Sequence, residues 1–303
     1  MHSVIVVSQL SVSSSSRKMS CDKLVNLSIF DLEELESVLR RYGDRFEIWY
    51  RTVQNYLNWL RVDPDIVDLQ IISLNGNWRN DGTFVIIDCS YIYLHNFKEN
   101  NDSLERILHL LSWKRSYFIC MFPERLKQPI LNTFRELQIE IALFTDDVIY
   151  YLPANAAECL ELDIPEGYRL GSLERKHVKQ INAEWEFSSG TESERFIDRL
   201  IMSECNVTIG LFNESNHQLV GWCLQSPSGE LSLLSVDRQH RRKGFGSLLV
   251  TAFAKQIAAA GLGSYACVLL SNHPSRKVFS SLGFYEKENV HWILSKPKQN
   301  MSH

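Results

Sequence analysis

The sequence predicts an α/β (α+β) fold in which a mixed, mostly antiparallel sheet is flanked by helices, built as two similar domains in tandem. Three observations support this prediction. Segments with the period of an amphipathic helix alternate along the chain with short strand-like segments. The same order of helices and strands occurs twice. Residues 153–167 separate the two copies, because Pro153, Asn155, Pro165 and Gly167 interrupt the periodic pattern there.

The N-terminal half shows this order faintly, so it resembles the other half in the layout of its elements rather than in its residues. The helices are predicted at residues 32–41, 46–60, 104–113 and 124–137, and the strands at 69–73, 84–94 and 117–122.

The C-terminal half shows the order clearly. A short strand and two helices are predicted at residues 168–170, about 174–185 and about 192–204, and three strands joined by turns follow at 206–212, 218–224 and 230–236. Next comes an amphipathic helix from Phe245, whose apolar residues recur at i, i+3, i+4 and i+7. The remaining elements are a buried strand at 265–270, a helix at about 274–282 and a last strand at 292–294.

Charge and composition exclude several classes of protein. The chain has 303 residues, with 32 basic and 36 acidic side chains and a formal net charge of −4. It lacks the positive field of a nucleic-acid binder, so we expect no nucleic-acid partner. Its apolar runs are far shorter than the roughly 20 residues that span a bilayer, so we expect no membrane span.

The cysteines indicate a reducing compartment. They are scattered singly, with no C-x-x-C pair and no histidine at metal-ligand spacing, which predicts a soluble cytoplasmic protein without a metal. Residues 1–20 hold four consecutive serines and no acid, so they fit a disordered tail and also an import leader, which leaves a mitochondrial location open. The seven cysteines are Cys21, Cys89, Cys120, Cys159, Cys205, Cys223 and Cys267.

The most informative segment is the basic, glycine-containing loop before the long helix. Between Asp237 and Gly246 it holds one acid and four basic residues, Arg238, Arg241, Arg242 and Lys243. Glycine lets the backbone approach an anion closely, and the helix that follows presents unpaired N–H groups. The loop therefore predicts a binding site for a pyrophosphate group.

Two common nucleotide motifs do not fit this loop. A P-loop requires Lys-Ser or Lys-Thr after its last glycine, and neither pair follows a glycine here. A dinucleotide fingerprint requires a third small residue where Leu249 stands, and an acid about 20 residues further on, which is also missing. In the N-terminal half, the corresponding segment 96–103 has no glycine at all.

We therefore predict a disordered tail at residues 1–20, a degenerate domain without a phosphate loop at 21–160, and a functional domain at 165–303.

The pattern R-x-x-G-x-G between a strand and a helix resembles the coenzyme A loop of the GNAT acyltransferase superfamily. The resemblance continues in Asn-x-x-(small)-x-x-x-(aromatic) and Gly-Phe after the following strand, a pattern matched by Asn272, Ser275, Phe279, Gly283 and Phe284. The chain is most similar to the glycine N-acyltransferase family in residues 170–173, 185–187 with 194–197, and 228–230.

This resemblance implies two tandem acyl-CoA N-acyltransferase-like domains and direct attack of an amine on a coenzyme A thioester. Glu230 matches the catalytic glutamate of the glycine-conjugating family and is the candidate general base. Backbone N–H groups near Val236 would hold the thioester oxygen, and Trp185 and Phe187 are candidates for the acyl pocket. The implied coenzyme-binding residues are Leu234, Ser235, Val236, Arg241, Arg242, Lys243, Gly244, Phe245, Gly246, Ser247, Asn272, Ser275 and Phe279.

Some assignments at this site stay open. The side chain of Asn272 could bind the coenzyme, or it could equally cap the N-terminus of the helix that follows it. His240, His273 and His291 lie near the predicted site without a feature that favours them as bases. Phe279 departs from the superfamily, in many members of which a tyrosine protonates the leaving thiolate, so the proton donor is undefined.

The predicted function is an acyl-CoA-dependent N-acyltransferase whose partners are acyl-CoA, as co-substrate, and a small amine such as glycine. Two alternatives remain: a protein N-acetyltransferase, and a catalytically inactive coenzyme A-binding regulatory module, which Phe279 favours. The oligomeric state is not predicted.

Overall fold

The computed structural model describes residues 22–98 and 100–298. The strands are β1 (Leu24–Asn26), β2 (Leu69–Leu74), β3 (Phe84–Asp88), β4 (Tyr91–His95), β5 (Phe118–Pro123), β6 (Ile141–Leu152), β7 (Tyr168–Gly171), β8 (Thr208–Asn213), β9 (Leu219–Gln225), β10 (Leu231–Val236), β11 (Ser264–Leu269) and β12 (Tyr285–Ser295). The helices are α1 (Ile29–Arg41), α2 (Glu47–Val62), α3 (Trp78–Asp81), α4 (Asp102–Leu110), α5 (Glu124–Leu137), α6 (Ala154–Glu158), α7 (Val178–Glu184), α8 (Thr191–Met202), α9 (Phe245–Ala258) and α10 (His273–Ser281).

In the described residues, all twelve strands form one continuous sheet in the order β1-β2-β3-β4-β5-β12-β6-β11-β10-β9-β8-β7. Neighbouring strands are antiparallel, except that β4 pairs with β5 and β10 with β11 in parallel. Each parallel pair is joined by a crossover that contains a helix, α4 in the N-terminal half and α9 in the C-terminal half. The predicted mixed, mostly antiparallel sheet in two tandem halves is confirmed.

The two halves exchange the strands that end them. β6 comes at the end of the N-terminal half but pairs with β11 of the C-terminal half. β12 comes last in the C-terminal half but pairs with β5 of the N-terminal half. β6 and β12 also pair with each other along almost their whole length. Each half of the sheet is therefore complete only with a strand from the other half. The domain boundaries at 21–160 and 165–303 stay a prediction.

Three large apolar clusters cover the sheet. One of them belongs to both halves, because Leu35 of α1 and Tyr56 of α2 share it with Phe196 of α8 and Trp222 of β9. A second packs α9 against strands of the C-terminal half, and a third packs α4 and α5 against strands of the N-terminal half. The shared cluster adds apolar burial to the hydrogen bonds that join the halves.

A buried ion pair also links the halves. Asp88, at the end of β3, is fully buried, and the guanidinium of Arg199 on α8 donates to its carboxylate. The hydroxyl of Tyr56 donates to the second carboxylate oxygen at 3.0 Å. Burial raises the pKa of Asp88, and the positive charge of Arg199 opposes that rise. The carboxylate is thus held in the interior by one cation from the other half.

Most of the predicted elements are present with boundaries shifted by a few residues. The helix predicted after the glycine loop is confirmed as α9, and the strands predicted at 218–224 and 265–270 are confirmed as β9 and β11. The helix predicted at 174–185 begins instead as a 3-10 turn, Arg175–His177, and continues as α7.

Two strand predictions are wrong in extent, and two strands of the structure were not predicted. The strand predicted at 84–94 is two strands, because the chain turns back at Cys89, whose φ of 52° lies in the left-handed region. The last strand, predicted at 292–294, is the eleven-residue β12. No element was predicted at β1, which lies at one edge of the sheet, or at β6, which lies near its centre.

The six cysteines within the described ranges are free thiols; Cys89, Cys120 and Cys223 are buried, whereas Cys159 and Cys205 are exposed. Cys21 and the predicted tail lie outside those ranges. Among the helices described, none combines the length and apolarity needed to cross a bilayer.

We expect Arg199→Met to lower the free energy of unfolding by about 3–5 kcal/mol, because the Asp88 carboxylate would stay buried without its cation. The double variant Arg199→Met/Asp88→Asn is expected to recover much of this loss, since it removes the uncompensated charge. Urea unfolding followed by circular dichroism measures both.

Arg195→Met is the matched control, because Arg195 lies on the same helix and forms an exposed ion pair with Asp68. Its cost is expected to stay within about 1 kcal/mol. Equal costs for Arg199→Met and Arg195→Met would show that the buried pair does not hold the halves together.

Candidate active site

The parallel strands β10 and β11 diverge and open a cleft in the sheet. They pair at a single position, Leu231 with Ala266. On its other side, β10 shifts register against β9 between Ser232 and Ser235, and Leu233 has a φ of 49°. A bulge of this kind re-aims backbone and side chains and is common next to ligand sites. The cleft is therefore widest toward the C-terminal ends of the two strands.

A cavity of about 370 Å³ lies in this cleft. It collects many of the residues singled out from the sequence, including the candidate base and both candidates for the acyl pocket. These residues are Trp185, Phe187, Glu230, Leu234, Ser235, Asn272, Ser275 and Phe279. Of the other predicted coenzyme residues, Val236 ends β10, and the rest lie in the loop that follows β10 and in the first turn of α9; none of them is in the cavity wall.

Glu230 is a buried carboxylate in the wall of the cavity. Only 5% of its surface is exposed, and its Oε2 atom has no hydrogen-bond partner in the described residues. Burial raises the pKa of Glu230, while the hydroxyls of Ser226 and Ser228 act in the opposite direction. A carboxylate with a raised pKa and a free oxygen is suited to accept a proton from a substrate near neutral pH.

The turn that carries Glu230 is held by a helix of the N-terminal half. The side-chain amide of Asn55, on α2, donates to the carbonyl of Pro227 at 3.2 Å. Gly229 has a φ of 88°, and a Cβ there would lie 3.2 Å from the Cδ atom of Arg51. Arg51 is itself fixed, since its Nη1 donates to the carbonyl of Gly263 at 2.8 Å. The position of the candidate base thus depends on both halves.

The basic loop ends in an uncapped helix N-terminus. Gly244, with a φ of 81°, is the N-cap of α9 and offers no side-chain cap, and the first turn of the helix has no acid. Arg241 braces the loop, because its Nε donates to the carbonyl of Val236 at 2.9 Å. In the described part of the chain, no carboxylate forms an ion pair with Arg238, Arg241, Arg242 or Lys243.

The corresponding helix of the N-terminal half, α4, has an occupied first turn. The backbone N–H of Asp102 donates to the side-chain oxygen of Asn100 at 2.8 Å, and Asp102 and Glu105 place negative charge in that turn. The parallel strands that it connects, β4 and β5, also pair at three positions rather than one. An anion is disfavoured at this end of the helix.

The structure shows a capping role for Asn272 and the surroundings of Phe279. Asn272 is an N-cap, because its Oδ1 accepts a hydrogen bond from the N–H of Ser275 at 3.1 Å. Phe279 is buried and stacks on Tyr150, with ring centroids 5.7 Å apart. The Tyr150 hydroxyl donates to Glu286 rather than entering the cavity, so it does not replace the missing tyrosine at position 279.

Sequence reasoning missed the wall that the exchanged strands build. β6 contributes Leu143, Thr145 and Asp147 to the cavity, and β12 contributes Trp292. Asp147 is buried and accepts a hydrogen bond from the Thr145 hydroxyl at 2.6 Å. Burial raises its pKa to about 6. The sequence feature that could have indicated this wall is a pair of acids inside an apolar run, Asp146 and Asp147.

The three histidines near the site in sequence do not line the cavity. His291 lies between the carboxylates of Asp146 and Glu124, and His240 contacts Asp237. Their positions give no support to a histidine base.

Comparisons with known proteins match part of the sequence and the overall fold. The model of the family described as FR47-like protein matches residues 208–293, which contain β8 to β11, the basic loop and most of β12. Bovine glycine N-acyltransferase is 28% identical over 118 residues, which are 39% of this chain and 39% of that enzyme. The chain therefore matches well under half the length of this curated relative.

Two solved structures share the fold of nearly the whole chain. A Drosophila protein solved by X-ray crystallography superposes with a TM-score of 0.81 at 18% identity, covering 92% of this chain and 100% of that one. A tandem GNAT protein from the clavulanic acid biosynthesis pathway superposes with a TM-score of 0.55 at 13% identity, covering 92% and 99%. The predicted resemblance to the GNAT superfamily, with its acyltransferase fold in two tandem copies, is confirmed.

We expect Glu230→Gln to raise the midpoint of thermal unfolding at pH 7 and to leave it unchanged near pH 3. A carboxyl whose pKa is raised by folding costs stability once the pH exceeds its unfolded pKa of about 4.3, and the amide removes that cost. Calorimetry across this range measures the difference. Glu214→Gln, in an exposed turn, is the control and should change nothing; a destabilised Glu230→Gln at pH 7 would contradict the assignment of a costly buried carboxylate.

Proposed function

We propose that the protein is an acyl-CoA-dependent N-acyltransferase that transfers an acyl group from a coenzyme A thioester to the amine of a small acceptor. The observation that carries this proposal is the buried carboxylate of Glu230, with one unpartnered oxygen, in the cavity between two diverging strands. The uncapped, basic start of α9 at the open end of the same cleft supports coenzyme A as the acyl carrier.

In this mechanism, Glu230 takes a proton from the ammonium form of the acceptor, directly or through one water. The freed amine attacks the carbonyl carbon of the thioester, so that a C–N bond forms and the C–S bond breaks. Backbone N–H groups of β10 near Val236 hold the carbonyl oxygen as negative charge develops on it. The side chains of Arg242 and Lys243 hold the phosphates with the N–H groups of α9.

Departure of the thiol needs little help from the protein. Phe279 has no proton to give, but a thiol of pKa about 8.5 is a tolerable leaving group as its anion near neutral pH. The step therefore proceeds without a dedicated acid: the nitrogen of the new amide loses its second proton to solvent, and the thiolate takes a proton from solvent.

A coenzyme A-binding regulatory module without turnover is the second candidate, and the same Phe279 favours it. The two candidates differ in the expected role of Glu230. A binding module has no use for a buried, unpartnered carboxylate, which costs stability.

The test is release of free thiol from acetyl-, benzoyl- and longer acyl-CoA with a panel of amines, amino acids and peptides. Turnover with a small amine is expected, and Glu230→Gln should lower kcat by about 100-fold or more while coenzyme binding persists. Glu214→Gln should keep full activity. Coenzyme binding without thiol release for any acceptor would favour the regulatory module, and turnover with peptides alone would favour a protein acetyltransferase.

The coenzyme loop makes a separate prediction. A Cβ at Gly246 would meet no protein atom within 4 Å, so Gly246→Ala should preserve stability and favour the helix by up to about 1 kcal/mol. The added methyl group would stand where a phosphate must approach the backbone, so affinity for coenzyme A should fall about tenfold or more.

Isothermal titration calorimetry with coenzyme A measures this loss. Arg242→Met should also weaken binding and reduce its dependence on salt, whereas Lys277→Met, at an exposed lysine of α10, should not. Unchanged affinity in both Gly246→Ala and Arg242→Met would show that phosphate binds elsewhere.

A further inference from the structure

The charges around the cavity that contains Glu230 are all of one sign. Four acids line it, and no lysine, arginine or histidine is among the lining residues in the described part of the chain. Glu184 and Glu186 are exposed at the end of α7, whereas Asp147 and Glu230 are buried in the walls. In the described residues none of the four forms an ion pair. The cavity is therefore lined by acidic side chains that have no ion-pair partner in the described residues.

Two of these acids are suited to a cationic ligand because of how they are held. Glu230 is 95% buried, lines a cavity whose described lining residues include no cation, and has one carboxylate oxygen without a hydrogen-bond partner in the described residues. Asp147 is also 95% buried, and its hydrogen-bond partner is the neutral hydroxyl of Thr145. The charge of His291 acts against the rise of the Asp147 pKa, but the His291 ring makes its own contacts with Asp146 and Glu124. Buried carboxylates without an ion-pair partner are costly to the fold, and a bound ammonium group would offset that cost.

The rest of the cavity wall is rich in aromatic rings. The faces of aromatic rings attract ammonium groups, and the rings also pack against the apolar part of a ligand. They come from both halves of the sheet and from the segment after α7: Tyr91, Phe118, Trp185, Phe187, Trp222 and Trp292.

Positive charge is found instead in a second cavity, of about 320 Å³, beside α2. It is lined by Lys98 and Arg125 together with Glu288. Glu230 does not line this second cavity, so these cations are not in the wall around the candidate base.

From these charges we propose that the acceptor is a primary amine on an apolar or aromatic body and without a carboxylate, and that Asp147 is the specificity-determining residue that attracts its ammonium group. This inference rests on the proposed N-acyltransferase function. A free amino acid would bring a carboxylate into a cavity with four acids and no cation, where like charges repel. Glycine, the acceptor expected from the family resemblance, is therefore disfavoured.

The test uses acetyl-CoA and acceptors that differ only in the carboxylate: tyramine against tyrosine, tryptamine against tryptophan, and methylamine against glycine. The kcat/KM for each amine should exceed that of its amino acid by about 100-fold or more. The larger amines should also have lower KM values than methylamine, because they contact the aromatic wall.

Variants test the role of Asp147. Asp147→Asn should raise the KM for tyramine about tenfold, change kcat less than about threefold, and narrow the gap between tyramine and tyrosine. Asp146→Asn is the matched control, because Asp146 is the neighbouring residue, is more than half exposed and does not line the cavity. Thermal unfolding and coenzyme A titration of both variants report whether the fold and the coenzyme site are intact.

The outcomes separate this inference from the function on which it rests. Glycine or tyrosine turned over as efficiently as the matching amine would overturn the inference while N-acyl transfer stands. An unchanged KM for tyramine in a folded Asp147→Asn variant would overturn the role of Asp147. Coenzyme binding with no thiol release for any acceptor would overturn the proposed function, and the acceptor class would fall with it.

Discussion

The pairing of β6 with β12 is the interaction on which the rest of the structure depends. On its other side, β6 of the N-terminal half pairs with β11 of the C-terminal half, and β12 of the C-terminal half pairs with β5 of the N-terminal half. The strands of the two halves therefore form one sheet. This placement brings Asp147 and Trp292 into the wall opposite Glu230. It also sets α2 against the turn at Pro227, where Asn55 binds it. The cavity is thus a product of the whole chain, although the coenzyme loop lies in one half.

The two halves show how one topology produces an open cleft in one case and a closed one in the other. β10 and β11 pair once and diverge, whereas β4 and β5 pair at three positions. The helix that connects β10 and β11 begins after glycine and basic residues. The helix that connects β4 and β5 begins with acids, and an asparagine side chain accepts its first N–H. The half without loop glycines is thus also the half whose parallel strands stay paired.

Local patterns carried the correct sequence predictions, and long-range pairing accounts for the failures. Helix α9 and the loop before it are specified within about 20 consecutive residues, and the position of Glu230 follows a turn signal at Gly229. β6 escaped prediction because Thr145, Asp146 and Asp147 break its apolar alternation. These residues are accommodated by a cavity on one side and by His291 on the other, and both depend on strands far away in sequence.

The exchanged strands also constrain the order in which the protein can assemble. β12 inserts between β5 and β6, yet it leaves the ribosome after every strand that it must pair with. Until then, β5 and β6 expose edges with unpaired N–H and C=O groups, and folding must wait for contacts between residues more than 100 positions apart. A growing chain therefore cannot finish its first half early. The continuous sheet and the complete cavity therefore form in one late step, and until then the edges of β5 and β6 are open to wrong pairing.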